Sequence, residues 1–425
     1  MAVSPRSTLP GVRLVDHRLD VPLDHADPTG ERITVYAREV RSPDDDAGRP
    51  WLLFLQGGPG GKSPRPHGPD AWLKRALKDF RVLLLDQRGT GRSTPVTARS
   101  LTGRGDAQAQ ADYLALFRAD SIVRDAEAFR ASLGEGLPWS TLGQSYGGFC
   151  TLTYLSLAPE GLRECLVTGG LAGLTAGADE VYRRTYARVV TKNAEFYARY
   201  PDDEAAVRRI VDHLAAGDTR LPTGERLTPE RLQALGRGFG GVGGYETVHY
   251  LLEEAWDGPE LSPTFLTGVA AQTSFGTGPL YAVLHESCYG QGDATRWAAQ
   301  RLRDERPEFD VAAGGRVLFT GEMVYPWMLE QEEAMQPFAA VADRLAERTG
   351  WPPLYDPDRL AGNVVPVAAA VYHDDMYVDA NLSLDTARAV PGIRTWVTNE
   401  FEHNGLRLDG DRVFGRLLDM VRGRA

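Results

Sequence analysis

The chain has 425 residues, 42% hydrophobic and 25% charged, enough apolar material for a large folded core. Its formal net charge of −11 argues against nucleic acid or an anionic membrane as partner, and no stretch is apolar enough to span a bilayer. Cys150, Cys165 and Cys288 are odd in number and lack paired spacing, which speaks against a disulfide framework and for a reducing, cytoplasmic setting. No C-x-x-C or H-E-x-x-H pattern asks for a metal, and the first residues lack the apolar run of a signal peptide.

Residues 12–25 and 31–40 read as two antiparallel strands, with Asp27-Pro28-Thr29-Gly30 as the turn. Residues 42–50 form a polar loop. Residues 51–56, WLLFLQ, are a continuous apolar run, as in a strand buried on both faces. They lead into Gly57-Gly58-Pro59-Gly60-Gly61. A helix is expected over 71–78, a second buried strand over 81–85, and an amphipathic helix over 120–133. Strands follow at 139–142 and 162–168, with a helix over 148–157 between them. From 171 to 358 long helical patterns take over, at 180–200, 203–216, 229–235, 245–256 and 295–303, separated by glycine-rich joints. The strand pattern resumes at 364–372 and 395–398, with helices at 383–389 and 412–422. Buried strands alternating with helices predict an α/β fold with a mostly parallel sheet flanked by helices. The expected organisation is a core of 1–170 and 359–425, interrupted by a helical cap insertion over 171–358.

The residues Gly143-Gln144-Ser145-Tyr146-Gly147 form a G-x-S-x-G pentapeptide between an expected strand and an expected helix. That is the setting of a nucleophile elbow, in which a sharp turn lifts a serine clear of the sheet. A serine hydroxyl needs a base to take its proton and an acid to orient that base. In α/β-hydrolases these come in the order Ser, acid, His, each after a strand. Here Ser145, then Asp374 or Asp375, then His403 meet that order. Among the eight histidines, His373 and His249 compete, but neither follows a late strand with an acid upstream. The N–H groups of Gly58 and Tyr146 are the candidate oxyanion donors, with Gly57 letting the backbone approach the substrate. The Gly58–Pro59 bond is expected to be cis.

Three motifs resemble the proline iminopeptidases of the α/β-hydrolase fold. QGGPGG at 56–61 is similar to the family's HGGPGG, DQRGTGRS at 86–93 to its DQRGxGxS, and GQSYGG at 143–148 to its GxSxGG. DDM at 374–376 is similar to the family's acid-bearing turn, which favours Asp375, and EHNG at 402–405 to its histidine loop. The resemblance implies a serine aminopeptidase that needs no cofactor. It removes an N-terminal proline from a small peptide with a free N-terminus, under a helical cap whose glutamates hold the substrate ammonium. Glu286, in a polar break after an apolar segment, is the first candidate for that task. Glu254 and Glu246 come next, and Glu322 is another. Tyr146, Phe149, Phe275 and Tyr289 are candidate walls for the proline ring. The alternatives are a capped esterase or amidase with the same machinery, for which the cap carboxylates are dispensable, and a hydrolase fold retained only for binding.

Overall fold

The computed structural model describes every residue except 1, 4–6, 45–47 and 135, and residues 2, 3, 7 and 8 by backbone alone. Residues 45–47 of the expected polar loop therefore lie outside the described residues.

Alternation in the first forty residues builds β1 (Val12–Pro22) and β2 (Arg32–Arg41), paired antiparallel from Arg13↔Arg41 to Pro22↔Arg32. The apolar runs become β3 (Trp51–Leu55), β4 (Arg81–Asp86), β5 (Trp139–Gln144), β6 (Leu162–Thr168) and β7 (Val367–Tyr372). The edge strand β8 (Ile393–Thr398) has only two buried positions, as expected where one side meets water. Across the sheet the order is β1-β2-β4-β3-β5-β6-β7-β8, with short strands Ala2–Val3 and Ser7–Leu9 against β1. β2 runs antiparallel to β4, and every later neighbour is parallel.

The side-chain period of two sorts the strands onto two cores. Leu52 and Phe54 of β3 and Val82 and Leu84 of β4 face one side of the sheet. There they meet Leu73 and Ala76 of α1 (Ala71–Ala76) and Phe414 and Leu417 of the terminal helix Gly410–Val421. Leu53, Leu55, Leu83 and Leu85 face the other side, against Ile122 and Phe129 of α2 (Ala119–Leu133) and Leu152 of α3 (Tyr146–Leu157). Burying each of the leucine, isoleucine, valine and phenylalanine side chains among these contributes about 1.5–3 kcal/mol. After β3 the chain turns to β4 on one side, then crosses to β5 on the other. Such a reversal opens a crevice at the carboxyl ends of the central strands, where the glycine loop and Ser145 lie.

Between β6 and β7 the chain is helical. Its main elements are α4 (Ala178–Arg199), α5 (Asp203–Ala216), α6 (Gly244–Glu253), α7 (Pro263–Thr273), α8 (Ala298–Asp304) and α9 (Gln336–Ala346). α7 and α9 are not among the expected helices, although each carries a proline in its first turn, where no donor is needed. The helix expected over 245–256 stops at Glu253, because Gly258 (φ 61°) turns a small hairpin of Trp256–Asp257 and Glu260–Leu261. The helix expected from 295 starts at Ala298, because Arg296 and Trp297 take positive φ just before it. No described helix is long and apolar enough to cross a membrane.

Candidate active site

Ser145 stands between β5 and α3 with φ 54° and ψ −124°, a conformation that costs a non-glycine residue about 1–3 kcal/mol. The surroundings hold it there. Its N–H donates to the Thr168 carbonyl at 3.0 Å, and its carbonyl accepts from Gly148 N–H at 2.7 Å. The flanking glycines are required by close approach. A Cβ on Gly147 would stand 1.9 Å from the Leu55 carbonyl oxygen, and one on Gly148 would stand 2.4 Å from that of Gly170. α3 can therefore press onto the end of β3 through Gly147, and onto the segment after β6 through Gly148, only without side chains at these positions.

The loop after β3 lies against this turn. A Cβ on Gly57 would meet Gln144 Oε1 at 2.6 Å and Ser145 Cβ at 3.0 Å. The Gly58–Pro59 bond is cis. The segment 86–93 serves as its bracket. Gln87 Nε2 donates to the Gln56 carbonyl at 2.9 Å. The buried Asp86 carboxylate accepts from the N–H of Ser63 at 3.1 Å, the N–H of Arg92 at 2.9 Å and the Arg65 guanidinium. Arg88, 1% exposed, makes a two-pronged ion pair with Asp125 at 2.7 and 2.6 Å and donates to the carbonyls of Leu23 and Leu116. The DQRGTGRS motif thus ties the glycine loop to α2, and none of these contacts reaches Ser145.

His403 follows β8, and Asp375 follows β7. His403 Nδ1 lies 2.7 Å from Asp375 Oδ2, and both side chains are buried. The other carboxylate oxygen accepts from the N–H groups of Tyr377 at 2.8 Å and Val378 at 3.0 Å. Asp374 points elsewhere, to His373 and Arg188. Burial alone would lower the pKa of the His403 imidazole. The charge and hydrogen bond of Asp375 outweigh it, and the net shift is upward. The helical region between β6 and β7 also holds this histidine: His403 N–H donates to the Gly240 carbonyl at 2.9 Å, and Lys192 of α4 pairs with Glu402 at 2.9 Å.

A cavity of about 370 Å³, within the usual range for small ligands, is bordered by Gly57, Gly58, Ser145, His403, Glu322 and Arg407. It also meets Tyr281 and Tyr377, whose ring stands edge-on to His403 at 4.8 Å. An adjoining chamber of about 520 Å³ shares Tyr281, Glu322 and Tyr377 and adds Arg237 and Phe275. Glu322 Oε1 accepts the Tyr281 hydroxyl at 2.6 Å.

The other carboxylates from the helical stretch lie elsewhere. Glu286 is buried away from the Ser145 cavity, and its two oxygens accept the N–H groups of Ala298 and Ala299 at 3.0 and 2.8 Å. It closes the start of α8, satisfying donors that a helix leaves open. Burial pushes its carboxyl up to about 7, against the lowering effect of those hydrogen bonds. Glu254 is exposed at the end of α6, and Glu246 pairs with Arg199 at 2.6 Å. Of the expected aromatic walls, Phe149 and Tyr289 border a small separate cavity with Cys288 and Tyr377, Phe275 borders the outer chamber, and Tyr146 packs its ring 6.0 Å from Phe149. Tyr281, Tyr377 and Arg407 escaped the sequence reading. Arg407 and Tyr377 had a usable signal, being one helical turn beyond His403 and two residues beyond Asp375. Tyr281 had none.

Residues 50–203 match the family described as the alpha/beta hydrolase fold. A proline iminopeptidase of Aeromonas sobria is 51% identical over 97% of this chain and 98% of its own length. One of Aspergillus aculeatus is 35% identical over 97% of this chain and 94% of its own. The crystal structure of a Mycobacterium smegmatis proline iminopeptidase overlays with a TM-score of 0.47 at 15% identity, covering 96% of this chain and 98% of that one. At 51% identity along almost the whole of both sequences, the chain belongs to the proline iminopeptidase family of α/β-hydrolases.

Proposed function

We propose that the protein is a serine aminopeptidase that releases an N-terminal proline from short peptides through an acyl-enzyme. The observation that carries this reading is a carboxylate, Glu322, on the same cavity wall system as Ser145 and His403. An esterase has no use for an anion there, whereas an aminopeptidase must hold a cationic amine beside the scissile bond. The relatives named as proline iminopeptidases support the choice of proline.

In this mechanism Ser145 Oγ attacks the proline carbonyl carbon while His403 Nε2 takes its proton. Asp375 accepts the Nδ1–H and stabilises the imidazolium that forms. The N–H groups of Gly58 and Tyr146 receive the oxyanion, and the positive end of α3 adds to them. His403 then returns the proton to the departing amine as the C–N bond breaks. Water, deprotonated by His403, cleaves the ester and frees proline and Ser145. Glu322 receives the substrate ammonium, and Glu286 belongs to the start of α8 rather than to the substrate. The stretch 171–358 acts as the cap. The cytoplasm is the assigned compartment, since all three cysteines are unpaired and buried.

The test is hydrolysis of proline p-nitroanilide beside its N-acetyl form and p-nitrophenyl acetate. Turnover of the free-amine substrate alone, lost in Ser145→Ala, is expected. Equal indifference to the amine would move the protein to the capped esterases.

A further inference from the structure

Two side chains of opposite formal charge border the Ser145 cavity, Glu322 and Arg407. Glu322 is already engaged by Tyr281 and faces the outer chamber as well. Arg407 is different. It is exposed, sits on the short helix Gly405–Leu408 one turn beyond His403, and does not border the outer chamber. Its N–H donates to the Asn404 carbonyl, and among the described residues its guanidinium has no ion-pair partner. Nearby arginines are committed. Arg237 donates to the Gln272 carbonyl at 2.7 Å and lies over the Phe275 ring, and Arg188 pairs with Asp374. In a chain of net charge −11 an unpaired cation beside the nucleophile asks for an anionic ligand.

The chemistry gives that ligand a place. His403 must hand its proton to the departing amine, so the leaving part of the peptide lies on the His403 side of the scissile bond. The proline ammonium lies toward Glu322. In a dipeptide the free carboxylate sits on the same residue as the scissile nitrogen, only two bonds away through Cα. A guanidinium offers a planar fork that matches a carboxylate. We propose that Arg407 receives the C-terminal carboxylate of the leaving residue, so that the enzyme favours proline dipeptides over their carboxy-amidated counterparts. This rests on the aminopeptidase reading above.

The experiment compares kcat/KM for Pro-Ala and Pro-Ala-amide in the wild type, Arg407→Gln, Arg407→Lys and Arg237→Gln. The acid-to-amide ratio should exceed one in the wild type and fall about five- to tenfold in Arg407→Gln, as for a partly solvated, charge-assisted hydrogen bond. Arg407→Lys should keep part of the preference, and Arg237→Gln all of it. An unchanged ratio in Arg407→Gln, or a ratio lowered by Arg237→Gln instead, overturns the assignment while leaving the aminopeptidase intact. A wild type that cleaves neither peptide overturns both. Because each variant is its own control through the ratio, a general loss of folded enzyme does not mimic the effect.

Discussion

Replacing Glu322 by Gln is the perturbation that separates an aminopeptidase from every other hydrolase with this machinery. Gln keeps the size and can still accept the Tyr281 hydroxyl, now at 2.6 Å from Oε1, so the wall should stand. What is lost is the negative charge facing the substrate ammonium. Glu322 is half-buried, so the full 3–5 kcal/mol for breaking a buried pair does not apply. A charge-assisted hydrogen bond in a partly wet site is worth about 1.5–3 kcal/mol, or roughly 10–150-fold in kcat/KM. The assay is proline p-nitroanilide beside p-nitrophenyl acetate on the same preparations. The anilide should fall by that factor while the ester stays within about twofold, the spread expected of a substitution that removes no contact it uses. A parallel fall of both would show that Glu322 supports the site without touching the amine. No fall in the anilide would leave the amine with no anchor in this cavity.

Two further outcomes follow from the electrostatics. Asp375 raises the pKa of His403, and the imidazole must be neutral to act as a base. The acid limb of kcat/KM should therefore lie above the ordinary histidine value of about 6.5. Asp375→Asn should lower kcat by about 10⁴ and, with only the smaller effect of the Glu322 charge left to oppose burial, move that limb to lower pH. A limb that stays put would detach Asp375 from His403. Glu286 has a folded pKa of about 7 against an ordinary 4.5, so its contribution to stability is present below 4.5 and is lost as pH rises through 7. The difference amounts to about 3 kcal/mol. Urea unfolding should show the wild type gaining on Glu286→Gln between pH 8 and pH 5, and a gap that is constant or grows with pH would contradict the burial argument. The same variant should leave the preference for a free amine unchanged.

Much of the scaffold was legible because its signals are local. Runs such as WLLFL at Trp51–Leu55 and RVLLLD at Arg81–Asp86 leave few options besides a strand covered on both faces. The elbow declares itself because only glycine tolerates the approach of Leu55 and Gly170 around Ser145. The histidine loop is marked by its position after the last strand. The DQRGTGRS motif could be seen but not interpreted, since its partners, Gln56, Ser63 and Asp125, are joined to it only by the folded chain.

The sequence by itself determined the alternation of strands and helices, the serine turn and the order of the acid and the histidine. These depend on neighbours in the chain: which residues fit a pleat, turn at positive φ or end a strand. Tertiary structure alone decided which carboxylate faces the cavity. Glu286 and Glu322 are both glutamates in polar breaks beside apolar segments, and no local pattern separates them. Glu286 is drawn to the open N–H groups of Ala298 and Ala299, on a helix that starts a dozen residues later. Glu322 is brought by the packing of its segment to Tyr281 and the space beside Ser145. A buried carboxylate goes where donors await it, and where those donors lie is a property of the assembled fold.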